Sequence, residues 1–297
     1  MKLSPHDLRI LHDEACAIAR DAGAVIASYA QQGFAVSYKE GGCSLASQVV
    51  TEVDHKSDEL IIDRLQENMS RYDIGLLTEE REDDGSRFEK DYFWCIDPLD
   101  GTLAFTRSVA GYAVSIALVS KGGESQIGVV YDPLADVMYS AAIGQGAWRN
   151  ACAWQLPKSQ CIDELTVPVD HSLDERADFS DIFASVRKWA ERQGYRDLRR
   201  IDDAGSVMSA IWVLDSGLGC YFKFPKAKQG GGSIWDFAAT ACIYKELEAQ
   251  VTDSHGQALA LNPTDTTFMN EKGVLFVVAP NAQEPLVRLD DLFPAGA

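Results

Sequence analysis

The sequence predicts a layered α/β fold with an antiparallel sheet in its N-terminal half and a smaller mixed sheet in its C-terminal half. Between Gly111 and Asn150, short apolar segments are separated by turns that contain Gly or Pro, the pattern of an antiparallel meander. After about Trp154, strand-like and helix-like segments alternate, which favours a second sheet with helices packed on it. We therefore predict two subdomains, residues 1–153 and 154–297.

The first half begins with helices. Ser4-Pro5 is a favourable helix start, and apolar residues then recur at helical spacing as far as Tyr29. A second helix is predicted at 54–69, and the apolar run 92–96 predicts a buried strand. The strands of the meander are predicted at residues 112–120, 126–131, 137–142 and 147–150.

The second half is predicted from the helical spacing and the strand-like runs of its apolar residues. Its strands are expected at residues 165–169, 197–201, 220–224 and 273–278, and its helices at 179–193, 206–215 and 234–249.

Composition limits the possible partners. The 297 residues include 45 Asp and Glu against 27 Lys and Arg, a formal charge of −18, and the pI is about 4.6. Such a chain is repelled by a phosphate backbone and by anionic membranes, which excludes nucleic-acid polymers and membrane surfaces as partners. A hydrophobic fraction of 46% indicates an ordinary globular core.

Cysteine usage and the N-terminus indicate the compartment. The seven cysteines contain no CxxC pair, which is typical of reduced core residues. Charged residues follow the first Met closely and no apolar stretch is long enough to cross a bilayer, so we expect neither a secretory signal nor a membrane span. The prediction is a cytoplasmic protein.

The segment Asp97-Pro98-Leu99-Asp100-Gly101-Thr102 directly follows the predicted buried strand. Pro98 fixes one torsion and Gly101 permits a sharp turn, so the two carboxylates and the Leu99 carbonyl can converge. Three oxygen ligands suit Mg²⁺, whereas zinc prefers nitrogen or sulfur. The amides of Gly101 and Thr102 would start a helix, where phosphate binds. The alternative is a plain turn with solvated side chains.

Two further acidic features favour the functional interpretation. Glu79-Glu80 ends another apolar run upstream of the strand, and Asp236 stands in the first turn of an apolar helix. Asp236 has a simpler explanation as a helix cap.

Together these motifs, in this order and spacing, resemble the inositol monophosphatase superfamily of Mg²⁺-dependent, lithium-sensitive phosphatases. The resemblance spans roughly residues 36 to 260. It implies an α/β/α/β/α sandwich and a phosphomonoesterase that releases inorganic phosphate from a small soluble phosphate ester by attack of a metal-activated water. It also makes a homodimer possible, since dimers are common among such proteins.

The resemblance also assigns roles to matching positions. Asp54 and Thr102 would orient the attacking water, and Glu80 would support them. Two or three Mg²⁺ ions would be held by Glu79, Asp97, the Leu99 carbonyl, Asp100 and Asp236. The predicted phosphate- and substrate-binding residues are Gly101, Thr102, Gly205, Ser206, Lys226 and Gln229.

Several positions depart from the family pattern. Thr78 stands where the family usually has Gly, and Ala104 where inositol phosphatases commonly have Asn. Residues 39–54 form a longer segment than is usual, and residues 248–250 lack the customary pair of glycines. Gln229 replaces an acid that contacts substrate hydroxyls in inositol-selective members.

The substrate is left open between two classes. Lys223, Lys226 and Lys228 are followed by no acid before Asp236, so they are either an exposed strand end or a means of attracting a second phosphate. The second interpretation favours a 3′(2′),5′-bisphosphate nucleotidase acting on 3′-phosphoadenosine 5′-phosphate. Leu103 argues against it, because nucleotidases usually have Lys there.

Other classes are less compatible with the sequence. A haloacid-dehalogenase-type phosphatase needs a nucleophilic Asp two residues before the second Asp, where this chain has Pro98. A non-catalytic binding protein on the same fold is a remoter alternative, and the loss of a metal carboxylate that it would lead us to expect is not observed.

Overall fold

The computed structural model describes residues 2–32, 36–38, 49–156, 164–280, 282 and 285–292. Its helices are α1 (Pro5–Gln32), α2 (Glu52–Tyr72), α3 (Ser86–Glu89), α4 (Thr102–Thr106), α5 (His171–Asp174), α6 (Phe179–Arg192), α7 (Ser206–Ser216), α8 (Ile234–Glu246) and a 3₁₀ turn at Leu289–Leu292.

The strands fall into three groups. A short antiparallel pair consists of β1 (Val36–Tyr38) and β2 (Val49–Thr51). The first large sheet contains β3 (Ile74–Thr78), β4 (Tyr92–Asp100), β5 (Ala113–Ser120), β6 (Ser125–Asp132), β7 (Val137–Ala142), β8 (Gly146–Arg149) and β9 (Cys152–Trp154). The second contains β10 (Glu164–Pro168), β11 (Asp197–Ile201), β12 (Gly219–Lys223), β13 (Gln250–Thr252) and β14 (Val274–Val278).

The seven-stranded sheet follows chain order from β3 to β9, as the meander predicts. Its strands pair antiparallel except β3, which runs parallel to β4 because α3 and its flanking turns return the chain to the same end. Strand β4 is longer than predicted: it continues past Ile96 to Asp100, so the acidic motif lies inside the strand rather than after it.

The five-stranded sheet has the order β11-β10-β12-β14-β13 and is mixed, as predicted. β10 pairs parallel with β11 and β12, and β14 pairs antiparallel with β12 and β13. Strand β13 was not predicted, because the helix was expected to reach residue 249. The helix ends at Glu246, and Glu248 then turns the chain with a φ of 56°, where the family pattern has glycine.

Three apolar cores hold five layers together as an α/β/α/β/α sandwich, because the central core packs both sides of the middle helix layer against the two sheets. Along β4 the alternate residues Trp94 and Ile96 face α1 and α2, whereas Phe93 and Cys95 face α7 and α8. The central core also receives Tyr221 of β12, and the far side of the second sheet packs on α6. Helices α7 and α8 thus lie between the two sheets.

Gly128 of β6 sets how closely α8 approaches the first sheet. A Cβ at Gly128 would overlap the carbonyl oxygen of Ala239 and would lie 2.9 Å from the Cβ of Cys242. Both atoms belong to α8, the helix that carries Asp236. The absence of a side chain at Gly128 therefore allows α8 to approach the first sheet this closely.

The described residues test only part of the predictions about cysteines, the long segment 39–54 and membrane spans. Cys16, Cys95, Cys152, Cys220 and Cys242 are free thiols, whereas Cys43 and Cys161 lie outside the described residues. The long segment predicted at 39–54 also falls largely outside them, at residues 39–48. Among the helices in the described ranges, none combines the length and apolar content of a membrane span.

Gly128→Ala should destabilise the chain by about 1–3 kcal/mol, the usual cost of overpacking a core. Urea unfolding measures this directly. Gly122→Ala is the matched control, because its Cβ would meet nothing nearer than the Ser120 hydroxyl at 3.7 Å, and it should change stability by less than about 0.5 kcal/mol. Equal effects of both changes would contradict the close-packing argument.

Candidate functional site

Asp97 and Asp100 lie on β4 at a bulge. Asp97 pairs with Ser115 and Asp100 with Ala113. Between these two pairs β4 contains one residue more than β5, which is the bulge. In a regular strand two residues three apart face opposite sides, and the extra residue brings both carboxylates to the same side. Ser57 of α2 donates its hydroxyl to the carbonyl of Pro98 at 2.9 Å and holds the bulge.

Asp236 reaches the same place from a different layer. It is the third residue of α8, and its carboxylate accepts the backbone N–H of Ser233 in a capping box. The capping role anticipated as the simpler explanation is therefore real. It also fixes the rotamer that carries the carboxylate toward β4.

Asp97, Asp100 and Asp236 form the acidic cluster of the site. One carboxylate oxygen from each lies within 4.8 Å of the others. Burial raises the pKa of Asp97 well above its ordinary value of 3.8, and Glu79 and Asp100 raise it further. Burial and Asp236 likewise raise the pKa of Asp100, although the amide of Val207 opposes the shift. Burial raises the pKa of Asp236, opposed by the amide of Ser233.

The other predicted acidic residues surround this cluster without joining it. Glu79 follows β3 and is exposed, yet it lies close enough to raise the pKa of Asp97. Asp54 is buried in the first turn of α2 and acts on Asp97 in the same direction. The Glu80 side chain is 5% exposed and pairs with Nδ1 of His55 at 3.1 Å.

Gly101 and Thr102 end the strand and begin α4, as predicted. Gly101 has a φ of 82°, and a Cβ there would overlap the carbonyl oxygen of Gly111, so only glycine fits without displacement. The Thr102 hydroxyl donates to the Leu99 carbonyl at 3.3 Å. That carbonyl is one of the predicted metal ligands.

Gly205 and Ser206 begin α7 against Asp100. The amides of Ser206 and Val207 donate to the two oxygens of Asp100 at 3.1 and 2.9 Å. A Cβ at Gly205 would overlap that carboxylate. These residues were predicted to bind substrate, and in the structure the Ser206 amide positions an acid of the cluster; substrate binding by either residue stays a prediction.

A largely buried ion pair lies beside the cluster. Nζ of Lys223, the last residue of β12, lies 2.7 Å from Asp170, and the two side chains are 14% and 15% exposed. Burial opposes the charge on Lys223, but Asp170 outweighs it and the pKa of Lys223 is raised. Lys223 in turn moderates the raised pKa of both Asp100 and Asp236. It therefore lies close to the acidic cluster.

Lys223 also lines a cavity of about 70 Å³. Arg176 and Lys226 add two further positive side chains to its wall, and Asp170 is its acidic residue. The backbone at Lys226 is fixed by Asn270: the Lys226 amide donates to the Asn270 carbonyl at 2.7 Å, and the Asn270 side chain donates back at 2.8 Å. Predicted Gln229 is exposed and does not line this cavity.

The residues present fit a divalent metal ion. Three converging carboxylates in a largely buried place are costly: burial is the main cause that raises their pKa values, and neighbouring carboxylates add to it for Asp97 and Asp100. A bound cation would offset both costs. All the donors are oxygens, the ligand type that hard ions such as Mg²⁺ prefer.

Comparison with known proteins identifies the family of the chain. Residues 7–287 match the family model described as the inositol monophosphatase family. This chain belongs to the inositol monophosphatase family. The family match covers both sheets and every residue of the acidic cluster.

Relatives within the family differ in name. The chain is 37% identical over 238 residues to Nus factor SuhB of Salmonella typhimurium, covering 80% of this chain and 83% of that protein. It is 26% identical over 259 residues to inositol-1-monophosphatase of Bacillus subtilis, covering 86% and 87%. It is 29% identical over 263 residues to the 3′(2′),5′-bisphosphate nucleotidase CysQ of Escherichia coli O157:H7, covering 87% and 96%.

Solved structures share the fold. The extragenic suppressor protein suhB of Bartonella henselae superposes with a TM-score of 0.72 at 21% identity, covering 97% of this chain and all of that one. Inositol monophosphatase II of Staphylococcus aureus gives a TM-score of 0.69 at 20% identity, covering 95% and 91%.

Sequence reasoning missed two partners of this site. Asp170 directly follows the predicted strand 165–169, just as Asp97 directly follows the predicted strand 92–96, and that position was available as a signal. The five histidines have no metal-ligand spacing in the sequence, so His55 was not predicted as a site residue. Its position next to Asp54 was the available signal.

Metal-free Asp97→Asn should be more stable than the metal-free wild type by about 1–2 kcal/mol, within the usual range for a point change. Because the pKa of Asp97 is raised in the folded state, the ionised wild type loses stability as the pH rises above the ordinary value of 3.8, and Asn carries no such charge. Thermal unfolding with EDTA and with Mg²⁺ measures the effect.

Mg²⁺ should raise the melting temperature of the wild type and have little effect on Asp97→Asn. Asp63→Asn removes the same charge from an exposed position on α2 and should respond to Mg²⁺ like the wild type. An Asp97→Asn chain that still gains stability with Mg²⁺ would place the ion elsewhere.

Proposed function

We propose that the protein is a Mg²⁺-dependent phosphomonoesterase that hydrolyses a small phosphate ester. The observation that carries the proposal is the convergence of Asp97, Asp100 and Asp236 within 4.8 Å in a largely buried place. Membership of the inositol monophosphatase family supports it.

The proposed mechanism needs no covalent intermediate with the protein. A cation held by the three aspartates would neutralise charge on the phosphoryl oxygens and lower the pKa of a bound water. Asp54 and Thr102 are assigned to orienting the attacking water, and Glu80, held by His55, supports that arrangement. The amides of Gly101 and Thr102 are assigned to the phosphoryl oxygens of the substrate.

The cavity beside Lys223 favours a second candidate, hydrolysis of a substrate with two phosphates. Its wall carries three basic side chains within a chain of formal charge −18, and of these Lys223 pairs with Asp170 at 2.7 Å and Arg176 with Asp178 at 2.8 Å. A cavity of about 70 Å³ has room for several water-sized groups, and Lys223 connects it to the acidic cluster. A 3′(2′),5′-bisphosphate would thus find separate positions for its two phosphates.

Phosphate release from a panel of cyclitol, sugar and nucleotide phosphates tests the enzyme proposal. We expect Mg²⁺-dependent turnover on at least one class, inhibition by Li⁺, and none with EDTA. Asp97→Asn should be inactive yet folded, as circular dichroism would show. No turnover on any member of the panel would leave the non-catalytic alternative.

Lys226→Glu tests the second candidate. It should raise KM for a bisphosphate about tenfold, equivalent to about 1.4 kcal/mol, and change KM for a monophosphate far less. Lys228→Glu makes the same charge change at an exposed position that does not line the cavity, and should alter neither KM. Equal effects of Lys226→Glu on both substrates would rule out a second-phosphate position at this cavity.

A further inference from the structure

Asp58 is a buried carboxylate outside the predicted site. It lies on α2 one turn after Asp54 and is 3% exposed. Its Oδ1 accepts the Thr78 hydroxyl at 2.6 Å, and its Oδ2 pairs with Nε of Arg81 at 2.7 Å. Both oxygens therefore bind one short segment, and the two partners flank Glu79-Glu80.

This contact is a strong one. Thr78 is itself buried, so its hydroxyl and Asp58 meet away from solvent, where a hydrogen bond to an ionised group is roughly twice as strong as a neutral one. Arg81 is half-exposed and supplies the compensating charge. A buried carboxylate with both oxygens engaged has little freedom to move.

A second contact joins the same two elements. Nδ1 of His55 lies 3.1 Å from Glu80, so two side chains of the first turns of α2 hold the segment that follows β3. Asp54 lies on that same part of α2. The segment carrying Glu79 and the helix carrying Asp54 are thereby fixed to each other on the side of Asp97.

The carboxylates themselves oppose such an arrangement. Glu79 and Asp54 both bring negative charge toward the buried Asp97, and Glu79 is exposed, although its amide donates to the Ile96 carbonyl of β4 at 3.2 Å. Repulsion among these carboxylates favours movement of the Glu79 side chain toward solvent. The bonds of Asp58 to Thr78 and Arg81 act against that movement.

We propose that Asp58, Thr78 and Arg81 are positioning residues that hold Glu79 within reach of a cation bound at Asp97. The inference rests on the proposed function, since it concerns the cation of that site. The Thr78 hydroxyl and the Arg81 guanidinium, both bonded to Asp58, thus preorganise the acid pair between them.

Thr78→Val tests the proposal, because it keeps the shape of the side chain and removes the hydroxyl. Binding of Mg²⁺ and Mn²⁺ to the full chain, measured by isothermal titration calorimetry, should weaken by about tenfold, at the lower end of what loss of a supporting residue costs a metal site. Thr78→Ser restores the hydroxyl and should bind within about threefold of the wild type. Arg81→Met, at a half-exposed position, tests the same bridge with little risk to folding.

Tyr244→Phe is the matched control for a lost buried hydroxyl. Tyr244 donates to the Ala210 carbonyl at 2.8 Å between α8 and α7, away from the acid pair. The Tyr244→Phe substitution should lower the melting temperature of the chain and leave its affinity for Mg²⁺ and Mn²⁺ unchanged. Wild-type affinity in both Thr78→Val and Arg81→Met would overturn the proposal, as would equal weakening in Thr78→Val and Tyr244→Phe. Failure of the proposed function is a different result, since the wild type itself would then release no phosphate from any substrate of the panel.

Discussion

The burial of three neighbouring carboxylates, those of Asp97, Asp100 and Asp236, is the constraint on which the rest of the structure depends. Three carboxylates whose oxygens lie within 4.8 Å are unfavourable in a largely buried place, and the raised pKa of each expresses that cost. A flexible chain would relieve the repulsion by moving apart. The fold must therefore hold the cluster together through packing that the charges cannot displace.

The restraints come from separate layers of the sandwich. The bulge in β4 turns Asp97 and Asp100 to one side of the sheet. The amides that begin α7 donate hydrogen bonds to the carboxylate of Asp100. Gly128 brings α8 close to the first sheet, and the cap at Ser233 orients Asp236. Each restraint is a backbone feature or a close contact, which explains why glycines and caps accompany the acids.

The sequence predicted most of the fold because its main elements have local causes. The meander is encoded by alternation and turns, and β11 (Asp197–Ile201) was predicted to the residue. Elements without a local cause were missed: β13 has three residues, too few for a periodic pattern, and α8 ends at Glu246 because the chain turns at Glu248. Helix propensity alone does not specify that turn.

The candidate site likewise contains residues that local sequence identifies and residues that only the packing of layers brings together. Asp97 and Asp100 share a short motif, and Asp236 begins a recognisable helix, so these residues can be identified along the chain. The contact of Lys223 with Asp170 joins positions far apart in sequence, and that of Asp58 with Thr78 joins a helix to a strand. Such pairs follow from how layers pack. Sequence spacing therefore identifies the acids of the site more readily than the residues that orient them.

The distribution of charge connects the site to the whole chain. In the proposed mechanism, a formal charge of −18 and the acidic cluster would repel a phosphate ester until a cation is bound. The basic wall of the adjacent cavity would not remove this barrier alone, because Lys223 is already paired with Asp170 and Arg176 with Asp178. By this mechanism cation binding precedes productive substrate binding, and the restraints that gather the carboxylates would act on substrate affinity through the ion.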